Sequence, residues 1–120
     1  MLITCENSVK TEKESCKIFE YEFPYQKLGC CKAIINGKYP ATGFCLNLKC
    51  DQIYFIISGC GIIFYDDKYF KIKEGDCFFM LHGKKYRVEG ENLTVIIFNS
   101  PKWSLVQYKH IAEELNANLF

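Results

Sequence analysis

Apolar and polar positions alternate along much of this chain, and the alternation changes character only near the end. Phe19, Tyr21 and Phe23 take turns with Glu20 and Glu22, a period of two that predicts a half-buried strand, closed by Pro24. CCKAII at 30–35 predicts a second strand, and Asn36-Gly37 behind it is a hairpin-turn signal. Phe44, Leu46 and Leu48 then alternate with Cys45, Asn47 and Lys49. IYFIIS at 53–58 is a continuous β-branched and aromatic run closed by the glycines of SGCG. GIIFY, a DDK turn and YFKIK predict a hairpin, EGD at 74–76 turns the chain again, and CFFML and LTVIIF supply two more strands. About eight short strands at this spacing predict an all-β antiparallel barrel or sandwich.

The two ends differ from the middle. Residues 1–15 are polar with little pattern and are expected to form a loose arm. Ser104-Leu-Val-Gln107 has the form of a capping box, and Leu105, Tyr108, Ile111, Ala112 and Leu115 recur at helical spacing. A short helix over 104–116 is therefore expected to pack on the barrel, anchored by Trp103. The 120 residues suit one domain, with no repeat and no low-complexity segment.

Composition narrows the function. Hydrophobic residues make up 49% of the chain and aromatics 16%, enough for a packed core. A net charge of +1, with Arg87 the one arginine among fifteen basic residues, gives no electrostatic case for nucleic acid or a membrane surface. No apolar run approaches the ~18 residues of a membrane span. The N-terminus lacks the apolar core of an export signal, so a cytoplasmic location is expected. Eight cysteines (Cys5, Cys16, Cys30, Cys31, Cys45, Cys50, Cys60 and Cys77) lack paired metal-ligand spacing, and reduced, mostly buried thiols are expected. The strand from Phe19 to Tyr25 is more apolar than a monomer's edge should be, which predicts a homodimer.

Two segments carry a resemblance. Gln52-Ile-Tyr-Phe-Ile-Ile-Ser-Gly-Cys-Gly61 and Gly75-Asp-Cys-Phe-Phe-Met-Leu-His-Gly-Lys-Lys-Tyr86 resemble the two motifs of the cupin family. The first motif has two histidines one residue apart, then three or four residues, a Glu, six residues and a Gly. Here Gly59 fits the Gly, and Gln52 stands for the Glu. The second runs Gly, five residues, Pro, one residue, Gly, two residues, His. Here Gly75 and Gly83 fit, Leu81 stands for the Pro and Tyr86 for the His. The resemblance covers roughly residues 40–103. Lys85-Tyr86 with Glu89-Gly90, followed by Pro101, Trp103 and Gln107, looks like a branch of small single-domain cupins with tyrosine at this point. The resemblance implies a double-stranded β-helix, or jelly-roll barrel, with its site inside. Cupins also commonly pair, which leans the same way as the apolar strand.

Metal-binding cupins hold a divalent first-row ion with three imidazoles and a carboxylate. The histidine pair falls on Leu46 and Leu48 if three residues precede the Glu position, or on Cys45 and Asn47 if four do. Only two histidines are present, and His82 and His110 fall at positions expected to be exposed. No metal or cofactor is expected. The residues then suit a metal-free barrel for a small polar or aromatic metabolite, such as a sugar, with Gln52, Tyr54, Tyr86, Asn47 and Cys45 as candidate ligand contacts. Gln52 and Tyr86 either bond each other across the interior or meet the ligand. Two other functions fit the same residues. One is a metal-independent isomerase or epimerase with Tyr86 as catalytic acid and Glu89, Asp51 or Cys45 as base. The other is a scaffold with no pocket chemistry.

Overall fold

The computed structural model describes residues 1–112. Nine strands carry almost all of it: β1 (Val9–Glu12), β2 (Cys16–Tyr21), β3 (Gly29–Tyr39), β4 (Phe44–Asn47), β5 (Asp51–Tyr65), β6 (Lys68–Lys73), β7 (Cys77–Met80), β8 (Tyr86–Ser100) and β9 (Tyr108–Ile111). All pairings are antiparallel. The sheet runs β1-β2-β3-β8-β4-β9, and β5 joins it along β8 while also pairing with β6 and β7. Two 15-residue strands, β5 and β8, make this possible. Each is long enough to bend and serve both layers of a rolled sheet. The bend in β5 comes at register shifts on either side of Ser58.

The continuous apolar run in β5 sorts by alternation. Gln52, Tyr54 and Ile56 are buried, while Ile53, Phe55 and Ile57 are exposed on the outer face. β8 sorts likewise, with Leu93, Val95, Ile97 and Asn99 inside. Ile35, Ile56, Ile63, Met80, Val88 and Leu93 form the tightest part of the core.

Four sequence expectations are corrected. The arm is ordered over Val9–Glu12, where β1 pairs with β2 from Val9↔Glu20 to Glu12↔Lys17. The sequence hid this because an edge strand beside a cavity needs no apolar alternation. Asn36-Gly37 is no hairpin: β3 runs through it, and Gly37, at φ +122°, marks a bulge against β8. The expected helix over 104–116 is a 3-10 turn at Leu105–Gln107 followed by β9, which pairs with β4 from Phe44↔Ile111 to Asn47↔Tyr108. Residues 113–116 of that expectation lie outside the described residues. An open edge on β4 outbids a weak capping signal, because a strand there satisfies backbone groups on both segments. Finally, β2 faces the other way from the pattern. Phe19 is buried on the outside beneath the ammonium groups of Lys10 and Lys32, 5.5 and 4.5 Å from its ring centre, whereas Ile18 and Glu20 face inward.

Candidate functional site

β4 settles which side chains point into the barrel. Cys45 and Asn47 are buried, while Leu46 is half-buried and Leu48 exposed. The alignment with four residues before Gln52 is therefore the one the fold uses. Gly83, in the left-handed region at φ +80°, donates its N–H to the Asn47 carbonyl at 2.7 Å. The glycine of the second segment thus holds the first segment in place.

A chain of four amides runs through this end of the barrel, and its direction follows from one fixed point. Gln107 Oε1 accepts from the backbone N–H groups of Lys49 (3.3 Å) and Cys50 (3.2 Å), which can only donate. Gln107 Nε2 must then be the donor to Asn47 Oδ1 at 2.9 Å. Asn47 Nδ2 in turn donates to Gln52 Oε1 at 3.0 Å and to the Tyr86 hydroxyl at 3.5 Å. Gln52 Nε2 donates to Asn99 Oδ1 at 2.7 Å. Each amide orients the next, so the Nδ2 amine of Asn99 is left as the free end. Asn99 is only 2% exposed, and among the described residues this amine has no protein acceptor. It is not sealed in the wall but opens onto the cavity that Asn99 lines.

That cavity has a volume of about 400 Å³. Gln52, Asn99, Tyr54 and Tyr86 form its polar end, and Trp103 and Tyr108, with ring centres 5.8 Å apart, stand beside it. Tyr54 meets Tyr86 edge-on at 6.5 Å. Ile18, Cys31, Ala33, Ile35 and Ile97 make the opposite wall apolar. Glu20, Glu22 and Lys13 also line the space.

Burial sets the electrostatics. It lifts the Tyr54 and Tyr86 phenols well above the usual tyrosine range, with neighbouring phenols and thiols adding to the rise, so both stay protonated donors. Burial also pushes the Cys45 thiol up to about 11. Glu20 is raised from the ordinary carboxyl value, first by burial and then by Glu22 beside it, with the Cys31 thiol and Lys102 acting the other way.

Glu20 makes a test of its own. Its folded pKa is raised, so its stabilising contribution is fully present below the ~4.3 of an unfolded Glu and is lost as pH rises through the folded value. Glu20→Gln removes that loss. The variant is expected to melt higher than the parent at pH 7, with the difference closing towards pH 4; an equal or lower melting temperature at pH 7 would contradict a strained carboxylate.

The sequence candidates separate into three groups. Gln52, Tyr54 and Tyr86 line the cavity. Asn47 and Cys45 stand behind its wall: Asn47 bridges Gln52 and Tyr86, so those two are joined indirectly, and the Cys45 thiol points to the Tyr86 carbonyl at 3.7 Å. Glu89 and Asp51 are elsewhere. Glu89 accepts from Arg87 at 3.1 Å, and exposed Asp51 accepts from the His82 backbone N–H (3.0 Å) while its carboxylate meets the ring nitrogen at 2.7 Å. His82 holds Asp51 below the usual carboxylate range. Exposed His110 donates to the Thr42 carbonyl at 2.7 Å. Asn99, Glu20, Tyr108 and Tyr39 were missed. Asn99 was the most accessible of these, because it continues the inward series Leu93, Val95, Ile97.

Metal-binding cupins set imidazoles and a carboxylate where Cys45, Asn47, Gln52 and Tyr86 stand here. This donor set does not fit a divalent cation. Two members are neutral amides already committed to each other, and the thiol and phenol hold their protons. No group of three or more His, Cys, Asp or Glu side chains converges anywhere among the described residues.

The fold is shared with solved proteins of low sequence identity. Pac13, a nucleoside dehydratase, is similar with a TM-score of 0.86 at 12% identity, over 96% of this chain and 93% of that one. Variants of Streptomyces PAC13 have been solved with uridine. KdgF from Halomonas is similar at 0.70 and 13% identity, over 87% of this chain and 96% of that one. Bacillus subtilis oxalate decarboxylase matches at 0.77 and 11% identity, over 91% of this chain and 31% of that longer one. No protein-family model matches the sequence, and no curated protein matches it. At these identities the likeness concerns the fold, and that fold is the cupin barrel.

Proposed function

We propose that this chain is a metal-free barrel that binds a small neutral metabolite, of sugar or nucleoside size, with a polar group turned to Asn99 and Tyr86. The observation that carries this reading is the amide relay ending in a free amine inside a cavity of about 400 Å³. Buried polar groups are normally satisfied within the protein, and one left open in a cavity points to a ligand or water as its partner. Trp103 and Tyr108 offer a flat ring or the face of a sugar an aromatic surface. Uridine bound by the structurally similar Streptomyces protein is a molecule of the right size and polarity to test first.

Isothermal titration with uridine and with neutral mono- and disaccharides is the direct experiment, and saturable heat with one of them is expected. A cavity that takes up none of them would favour the scaffold instead. Tyr86→Phe should leave the fold nearly unchanged, within about 1 kcal/mol, because the bond it removes is long at 3.5 Å. The same change should weaken the ligand about 10-fold, the worth of one buried hydrogen bond. Elemental analysis of protein prepared without chelator should find less than one equivalent of Fe, Mn, Ni or Zn. Stoichiometric metal that disappears in Gln52→Ala would restore a metal-dependent enzyme.

A second copy of the chain belongs to the same reading. The expected surface is largely used up, since Phe19 is covered and Tyr21 and Phe23 are half-buried. The outer face offers another: Phe79, Ile53 and Phe98 lie in one row across β7, β5 and β8, and all three are exposed. Light scattering should give twice the 14.0 kDa of one chain; a single-chain mass at micromolar concentration would remove the dimer.

A further inference from the structure

The relay accounts for one end of the cavity and leaves Glu20 unexplained. Glu20 lies on β2 in a row that crosses the sheet through Cys31 on β3 and Ile97 on β8 to Tyr54 on β5. The adjacent row on the same face reads Gly29, Asn99, Gln52. The strands that carry Glu20 and Asn99 are thus two spacings, roughly 10 Å, apart along a curled sheet. Gly29, in between, is covered by Lys102 and Trp103, while Glu20 and Asn99 both line the cavity. Two side chains of opposite hydrogen-bonding character therefore border one space, with room for a small molecule between them.

Glu20 is also without an ion pair among the described residues. The nearby ammonium of Lys102 is engaged by Glu22 at 3.0 Å and the Phe23 carbonyl at 2.9 Å. Its surroundings on the wall are Ile18, Cys31 and Ala33, so water solvates it poorly. A half-buried carboxylate in an apolar wall, held only by the Cys31 thiol and the more distant charge of Lys102, costs stability, and its raised pKa brings it nearer to the working range of a base. Opposite it, the Asn99 amine and the Tyr86 hydroxyl are both donors. The Tyr86 oxygen accepts from Asn47, and its proton faces the Tyr54 hydroxyl and the Cys45 thiol, from which a substrate oxygen draws it.

We propose that Glu20 is the general base of an enolisation in this cavity, with Asn99 Nδ2 and the Tyr86 hydroxyl holding the carbonyl oxygen of the substrate. This rests on the reading that the cavity binds a small metabolite, and it names the class: an α-hydroxy aldehyde or ketone of sugar size. Glu20 takes the proton from the carbon beside the carbonyl. The C–H electron pair becomes the carbon–carbon double bond, and the carbonyl π pair moves to oxygen. The enolate oxygen accepts from Asn99 and Tyr86, donors that the fold has already oriented. Glu20 then returns the proton. Delivery to the neighbouring carbon on the same face, after a proton shift between the two oxygens, gives the aldose–ketose isomer. Nothing is oxidised or reduced overall, and no co-reactant is consumed. This base is none of the three that the sequence suggested: Glu89 and Asp51 are engaged outside the cavity, and Cys45 is a protonated thiol behind its wall.

The test is proton exchange in D2O followed by proton NMR, with D-ribose, D-xylulose, D-fructose and D-glucose as probes, and binding measured on the same samples by line broadening. Loss of the α-proton signal of at least one bound probe is expected, together with at least a 100-fold slower loss in Glu20→Gln. That variant should still bind the same probe within about 3-fold, because a carboxamide of the same shape keeps the wall intact. Binding without exchange by the parent protein would overturn the base while leaving the binding barrel standing. Exchange that survives Glu20→Gln would also overturn it. Failure of all four probes to bind would count against the barrel's proposed ligand class and the enolisation together.

Discussion

Asn47→Leu is expected to cost about 4 kcal/mol of folding stability, the largest effect of any single change in the amide relay. Asn47 has three side-chain partners, Gln52 at 3.0 Å, Gln107 at 2.9 Å and the Tyr86 hydroxyl at 3.5 Å. Leucine has the same branched outline, with bulkier methyl groups in place of the amide, and leaves all three partners in place. Gln52 Oε1 loses its donor, and Gln107 Nε2 loses one acceptor while keeping the Ser104 carbonyl at 3.1 Å. An orphaned buried polar group costs about 1–3 kcal/mol and a lost hydrogen bond about 1 kcal/mol, so the orphaned Gln52 oxygen, the Gln107 bond and the long Tyr86 bond bring the total to about 4 kcal/mol. The polarity of the chain fails as well. With Asn47 gone, nothing fixes Gln52 in the orientation that keeps the Asn99 amine open to the cavity. Urea denaturation at unchanged m-value measures the loss. A cost below 1 kcal/mol would show that the relay is a passive consequence of packing.

Gly59→Ala should be more damaging still, to the point of little soluble protein. Gly59 sits in the left-handed region at φ +80°, within the second of the two register shifts of β5. A Cβ there would lie 2.1 Å from the Asn92 carbonyl oxygen and 2.8 Å from that of Glu91. Both are backbone atoms of β8, which cannot swing aside as a side chain can. The backbone strain alone costs roughly 1–2 kcal/mol for a residue with a Cβ. The clash adds displacement of the strand pair that joins the two layers, for a total above ~4 kcal/mol. Gly75 separates the two contributions. It has φ +89° with nothing within 4 Å of the added atom, so Gly75→Ala carries strain only and should cost about 1 kcal/mol. Comparable losses at both positions would mean that the close approach of β5 and β8 is softer than the geometry indicates.

These two residues also show how unevenly the sequence speaks. Gly59 could be found by spacing alone, because a cupin-like motif marks a glycine at that distance from Gln52. Asn47 could be found only as one of two alternatives, since a slip of one residue in β4 exchanges Cys45 and Asn47 for Leu46 and Leu48. The alternation there is symmetrical: Leu46 looks as fit for a core as Asn47 looks fit for solvent. Phe19 and Glu20 show the same inversion in β2. A barrel with a polar cavity reverses the usual rule, and the long lysine side chains of β1 and β3 cover the aromatic ring that the rule would have buried.

Local pattern by itself determined that this chain is all-β, an antiparallel barrel or sandwich, because period-two alternation and turn glycines act over a few residues and need no knowledge of partners. It also placed Gln52 and Tyr54 on one face of their strand, whereas the inward position of Tyr86 came from the cupin resemblance. What only the tertiary structure decided was everything that depends on which strands meet. The 104–112 segment became a turn and a strand because β4 had an open edge to fill, a fact invisible within the segment. Gln107 then reached Asn47, 60 positions earlier in the chain, and gave the relay its direction. Val9–Glu12 became part of the cavity rim, and Glu20 became its carboxylate, through pairings set by backbone hydrogen bonds between distant strands. Hydrogen-bond direction and cavity burial are properties of several strands at once, and no stretch of sequence contains more than one of them.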